Sequence, residues 1–140
     1  MAIENVVPVY MDIDDVPKDG WLKVLIAYPP EKLDSVVEYT KTDCNKGVNW
    51  VRSSPVYYEM LPEGISKGTG LPRLLEVMGE TERFTVASGD FGNDYDMVRM
   101  ADLGVAVANA QQAVKDAAKL VVGDNNSSPM SQIIEYIRGL

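Results

Sequence analysis

Two carboxylates and one ammonium are the side chains in this sequence best placed to do chemistry. Asp90 and Asp94 stand four residues apart in Thr85-Val-Ala-Ser-Gly-Asp-Phe-Gly-Asn-Asp-Tyr-Asp-Met97. Two acids converging on one point repel each other. A hard divalent cation relieves that repulsion, and magnesium takes one or two carboxylates while keeping several waters. The plainer alternative is that Asp90 forms a turn and Asp94 caps a helix, since both residue types favour those places. Lys67 lies in the glycine-rich stretch Pro62-Glu-Gly-Ile-Ser-Lys-Gly-Thr-Gly70. Glycines let a backbone approach a ligand closely, and an ammonium there can face phosphate. Lys67 is followed by Gly68, not by Ser or Thr, so the Walker A loop is absent, and Gly68-Thr69-Gly70 lacks the third glycine of a dinucleotide fingerprint. Alone, Lys67 reads as a solvated lysine. Beside two acids at the end of a strand, it suits phosphate chemistry.

Composition removes other chemistries. The 140 residues contain no histidine, which excludes Ser-His-Asp and Cys-His catalysis and histidine metal sites. The one cysteine, Cys44, cannot form an intrachain disulfide, and the default compartment is the cytoplasm. A net charge of −8 argues against nucleic acid and against an anionic membrane surface. A small phosphorylated substrate stays compatible with that charge, because a metal inverts the local field. The N-terminus has no basic and apolar leader, and no stretch approaches the roughly 20 apolar residues of a membrane span. At 46% hydrophobic and 24% charged, the chain has the makings of a folded core.

The elements that must position these residues follow from periodicity. Val6 to Ile13 and Leu22 to Tyr28 read as strands, with the acidic turn Asp14 to Gly20 between them. Pro30 suits the start of a helix to about Thr42, with Leu33, Val36, Val37 and Tyr39 or Thr40 facing inward. Asp43 to Gly47 is a turn. Val48 to Ser53 and Pro55 to Met60 read as strands, and the tandem Tyr57 and Tyr58 read as packing against a helix. After the Pro62 to Gly70 loop comes a helix from Leu71 to Met78. Strands at 84–88, 104–108 and 120–122 then alternate with helices at 94–101, 110–119 and 131–138. That alternation predicts βαβ units and a parallel sheet. The composition changes near residue 61, so residues 1–60 and 61–140 are expected to form two lobes.

These motifs resemble a known family. Ser66-Lys67-Gly68, Gly89-Asp90-x-x-Asn93-Asp94-x-x-Met97, Gly104-Val-Ala-Val-Ala-Asn109-Ala110 and Val114-Lys115-x-x-Ala118 look like the C-terminal part of a Cof-type phosphatase. That group belongs to the haloacid dehalogenase superfamily of magnesium-dependent hydrolases. Val51 to Pro62 is similar to the strand that leaves the cap of these enzymes and re-enters the core. The resemblance implies an α/β fold, with a partial α+β cap lobe followed by part of a Rossmann-like core. It also implies Mg2+ as cofactor and a small phosphorylated metabolite, such as a sugar phosphate, as substrate. Lys67 matches the lysine that neutralises the nucleophile and the phosphate. Asp90 and Asp94 match the acids of the metal motif, and Asn93 a polar residue near the phosphate.

The pattern departs from the family in two places. The family's nucleophile is the first aspartate of an N-terminal Asp-x-Asp, which forms an aspartyl-phosphate. Asp12-Ile-Asp14 mimics it, but Asp15 and Val16 replace the usual glycine and hydroxyl residue, and the stretch aligns with the cap's acidic loop. The loop Gly123 to Met130 also lacks the family's acid-glycine-valine run. The expectation is therefore a truncated hydrolase holding half an active site, with very low turnover. The alternative is a non-catalytic metal- or phosphate-binding module that self-associates as a homodimer through an open sheet edge.

Overall fold

The computed structural model describes residues 9–42, 46–80 and 83–140. The N-terminal lobe holds β1 (Val24–Ala27), α1 (Pro30–Thr40), β2 (Val48–Ser54) and β3 (Tyr57–Pro62). The strands form an antiparallel sheet in the order β1-β3-β2. Val24 and Trp50 both pair with Met60, and Ile26 and Arg52 both pair with Tyr58. Alternation therefore places Val24, Ile26, Trp50, Arg52, Tyr58 and Met60 on one face. This face packs on α1: Trp50 and Tyr58 stack at 5.0 Å, and the Tyr58 hydroxyl shares a 2.8 Å hydrogen bond with Thr40. On α1, Leu33 and Thr40 are buried and Tyr39 is exposed, so the inner stripe runs through Thr40. The opposite sheet face carries Asn49, Val51, Glu59 and Leu61 and looks toward the rest of the chain.

The second lobe holds α2 (Lys67–Met78), β4 (Val86–Gly89), α3 (Tyr95–Met100), β5 (Leu103–Val107), α4 (Gln112–Ala117), β6 (Leu120–Val122) and α5 (Pro129–Arg138). Its strands are parallel in the order β4-β5-β6, as the alternating pattern predicts. β5 is buried throughout, the mark of a central strand covered on both faces. Val98, Ala106, Val107, Ala110 and Val114 fill the space beneath α3 and α4. Leu103, Val105 and Ile133 pack beneath α5 on the other face. Gly104 lets α3 lie directly on the sheet, because a Cβ there would sit 1.9 Å from the Val98 carbonyl oxygen.

Two expectations need correction. Residues 9–12 form no strand, and Ile13–Asp15 make a 3-10 turn that Asp12 caps by accepting from the Asp14 N–H at 3.1 Å. Val9, Tyr10 and Met11 are exposed and pair with no strand among the described residues. Residues 6–8 of that strand, and Cys44 with most of its turn, lie outside the described residues. Helix α2 starts at Lys67, not Leu71, because Ser66 and Thr69 close a reciprocal cap (3.1 and 2.9 Å) that outweighs the two glycines. Pro72 consequently stands inside the helix.

Candidate active site

The carboxyl end of β4 organises the site. Beyond Gly89 the chain turns through Asp90 and Phe91 into a 3-10 turn, Gly92–Asp94, and α3 starts at Tyr95. The Asp90 carbonyl accepts from the Gln111 N–H at 2.8 Å, which ties this loop to the start of α4. Asp94 is only 6% exposed. Its side chain does not cap α3 as the sequence suggests. The carboxylate reaches back instead, and its Oδ2 accepts from the backbone N–H groups of Asp90 (3.0 Å) and Phe91 (3.3 Å). Its Oδ1 accepts from Lys67 Nζ at 2.6 Å. Gly89 makes room for this fold-back, since a Cβ there would lie 2.3 Å from the Asp94 Cβ.

Burial pushes the Asp94 carboxyl up, but the Lys67 ammonium and the two backbone N–H groups outweigh it and hold the group below the usual carboxylate range. Asp94 is therefore an ionised brace that fixes the loop and aims Lys67. Gly68 supports the same closeness, because a Cβ there would fall 2.6 Å from the Asp96 Cβ. The first turn of α2 is thereby pressed against α3.

Lys67, Asp90 and Asp94 line one recess of about 270 Å³, together with Ser88 and Asn125. Asn93 is not among its walls. It lines a neighbouring cleft of about 410 Å³ between the two lobes, which Lys67 also borders. Asp12 lines neither space, and its turn lies beside β1. Sequence reasoning missed Asn125. The backbone N–H of Asn125 donates to Asn109 Oδ1 at 3.0 Å, so Asn109 holds the 123–128 loop over the recess. The signal available was Asn109 itself, at the carboxyl end of β5.

The donor set around this recess has one unspent carboxylate. Asp94 is committed to Lys67 and the backbone, whereas Asp90 is half-buried and makes no side-chain hydrogen bond among the described residues. No cluster of three or more metal-ligating side chains occurs among the described residues. A single carboxylate beside a hydroxyl suits a cation such as magnesium, which completes its shell with water and phosphate oxygens. No helix among the described residues is long and apolar enough to cross a membrane.

Comparison with known proteins agrees with this architecture. Residues 2–134 match the family of haloacid dehalogenase-like hydrolases. YxeH of Bacillus subtilis (strain 168) is 35% identical over 129 residues, which cover 91% of this chain and 48% of YxeH. The 5-amino-6-(5-phospho-D-ribitylamino)uracil phosphatase YcsE of the same organism is 35% identical over 92 residues, 66% of this chain and 37% of its own length. A haloacid dehalogenase-like hydrolase from Bacteroides thetaiotaomicron, known from its crystal structure, is 34% identical with a TM-score of 0.71, covering 89% of this chain and 47% of that one. The chain thus spans about half the length, or less, of these relatives. By the match over residues 2–134 and the fold shared with the Bacteroides thetaiotaomicron hydrolase, this chain belongs to the haloacid dehalogenase-like hydrolases.

Proposed function

We propose that this chain supplies the cation-binding and phosphate-binding part of a magnesium-dependent phosphomonoester hydrolase site acting on small phosphorylated metabolites. The observation that carries the reading is the Lys67–Asp94 bond of 2.6 Å, which holds an ammonium over the recess containing the unspent Asp90 carboxylate. Asp90, with the Ser88 hydroxyl beside it, would hold magnesium. When bound, the metal would screen the charge on a phosphate and polarise its oxygens. Lys67 would neutralise a phosphate oxygen from the opposite side while Asp94 holds the lysine in place. Asn93, on the cleft side of Lys67, would orient the part of the ester that leaves the recess. The name of YcsE, a phosphatase of a phosphorylated ribityl compound, favours a small phosphorylated metabolite as substrate. Residues 1–60 would serve as part of a cap and residues 61–140 as part of the core, in a cytoplasmic protein.

Covalent phosphoryl transfer needs a further carboxylate facing the phosphate. Asp90 and Asp94 are the acids of the recess, and both have other roles in this reading. The test is hydrolysis of p-nitrophenyl phosphate by the purified chain with and without magnesium, beside Asp12→Asn and Asp90→Asn variants. The expected result is no turnover above the buffer blank, with magnesium-dependent phosphate binding that Asp90→Asn and Lys67→Ala each weaken. Turnover abolished by Asp12→Asn would make Asp12 a nucleophile and refute the half-site reading.

A second reading is favoured by one surface. Among the described residues β4 has no partner on its outer edge, and Met78 and Phe84, which line a recess with Val86, are exposed. An unpaired edge with apolar neighbours promotes self-association, consistent with a non-catalytic homodimeric module. Light scattering across a concentration series tests it, and a monomer at high concentration would rule it out.

A further inference from the structure

The inter-lobe cleft holds a polar arrangement that the phosphate site does not use. On the cleft face of the N-terminal sheet, Glu59 Oε2 accepts from Lys23 Nζ at 3.0 Å and Glu59 Oε1 accepts from the Ser53 hydroxyl at 2.6 Å. The Glu59 side chain is only 16% exposed, yet Glu59 and Lys23 both line the cleft opposite Ser66, Asn93 and Asp96. The Ser53 hydroxyl lowers the Glu59 carboxyl against burial, with help from Lys23, so it is ionised at neutral pH. A carboxylate accepts about four hydrogen bonds and an ammonium donates three. Ser53 and Lys23 use two of the acceptor sites and Glu59 uses one of the donors. About two unused acceptor sites and two unused donors therefore stand side by side.

Resting on the reading above, in which phosphate sits against Lys67, we propose that Glu59 and Lys23 select the leaving group of the ester, admitting an uncharged hydroxyl-bearing group and rejecting a carboxylate-bearing one. A hydroxyl both donates and accepts, so it can bridge Glu59 and Lys23 at once. A carboxylate only accepts, and it would enter a cleft where Glu59 and Asp96 stand among Lys23 and Lys67, with Lys67 taken by the phosphate in that reading. Its own charge would be only partly met by Lys23, which is paired. Discrimination of this kind works through the unfavourable contact as much as the favourable one. A volume of about 410 Å³ accommodates a group of several carbons beyond the phosphate.

The experiment is an amide-resolved NMR titration of the whole chain with glucose 6-phosphate, 2-phosphoglycolate and inorganic phosphate, in magnesium. Wild type is expected to bind glucose 6-phosphate about tenfold tighter than 2-phosphoglycolate, the scale of one hydrogen bond to a charged group. Glu59→Gln keeps the shape and removes the charge, and is expected to bring the two esters within about twofold of each other, with inorganic phosphate titrated in parallel to register any effect on Lys67. Lys23→Met is expected to reduce the preference as well, and it decides the matter if the amide dispersion shows Glu59→Gln to be unfolded. A preference unchanged in the folded variants, or equal binding of both esters by wild type, overturns the proposal. Lys67→Ala separates the two layers. If it leaves both affinities unchanged while the Glu59-dependent preference persists, the phosphate-site reading fails and the selection stands. If wild type binds neither ester, both fail.

Discussion

Asp94→Asn tests the claim that this residue is an ionised brace. The amide oxygen can still accept from the Asp90 and Phe91 N–H groups, but its NH2 then faces the Lys67 ammonium, a donor against a donor. A hydrogen bond between charged groups is worth about 1.5–3 kcal/mol. Lys67 has a side chain 51% exposed and recovers some hydration when released, which places the expected loss nearer the lower end, at about 2 kcal/mol. For a chain of this size that corresponds to a drop in Tm of about 7 °C. The pH dependence identifies the cause. The folded-state carboxyl is held below its unfolded value, so its contribution is fully present above the unfolded pKa of about 3.9 and is lost as pH falls through the folded one. The gap between wild type and variant should be constant near neutrality, begin to narrow below about pH 5 and shrink markedly by about pH 3. Urea denaturation followed by far-UV circular dichroism at each pH measures it. A gap under about 0.5 kcal/mol at pH 7, or one as large at pH 3 as at pH 7, would refute the ionised brace.

Three further outcomes follow from packing and placement. Gly104→Ala should cost more than about 3 kcal/mol, because its Cβ would meet the Val98 carbonyl 1.9 Å away in backbone that cannot yield; thermal denaturation checks this. Leu33→Ala empties a fully buried position between α1 and its sheet and should cost about 2–5 kcal/mol, read as a lower urea midpoint with the N-terminal lobe amides most affected. Gly89→Ala should dislodge Asp94 and so weaken phosphate binding as well as stability, measured by titrating inorganic phosphate with magnesium; binding as tight as wild type would show that the brace does not aim Lys67.

The second lobe was readable because its strands are short apolar runs, ended by Gly and Asp in β4 and β6 and by Ala and Asn in β5, and separated by amphipathic stretches. Local pattern and tertiary arrangement agree there. The placement of Asp90 and Asp94 at the recess was readable for the same reason, since parallel strands carry their loops to one end of the sheet, whereas Asn125 was missed. The direction of the Asp94 side chain was not. Asp before a helix usually caps it, but the intervening 3-10 turn makes Asp94 the last residue of that turn, and the partner across space is Lys67, distant in sequence. The start of α2 was hidden because Gly68, Gly70 and Pro72 individually oppose helix. Ser66 with Thr69 three residues on was the overlooked cue. The strand expected at 6–13 came from β-branched composition alone. Composition cannot supply a neighbouring strand to pair with, and residues 9–12 have none among the described residues.

Among the described residues the chain passes between the lobes once, through Glu63 to Ile65, where Gly64 adopts φ 77°. A single crossing lets one lobe open without unravelling the other. The N-terminal lobe has a few buried side chains around Leu33 and Tyr58, while β5 is enclosed on both faces. Its amides should therefore exchange with solvent through low-cost openings that leave β5 protected. Lys67 and Asp90 ride on the slow-exchanging side and Glu59 and Lys23 on the fast one. The anchor for phosphate thus persists through fluctuations in which the wall across the cleft comes and goes.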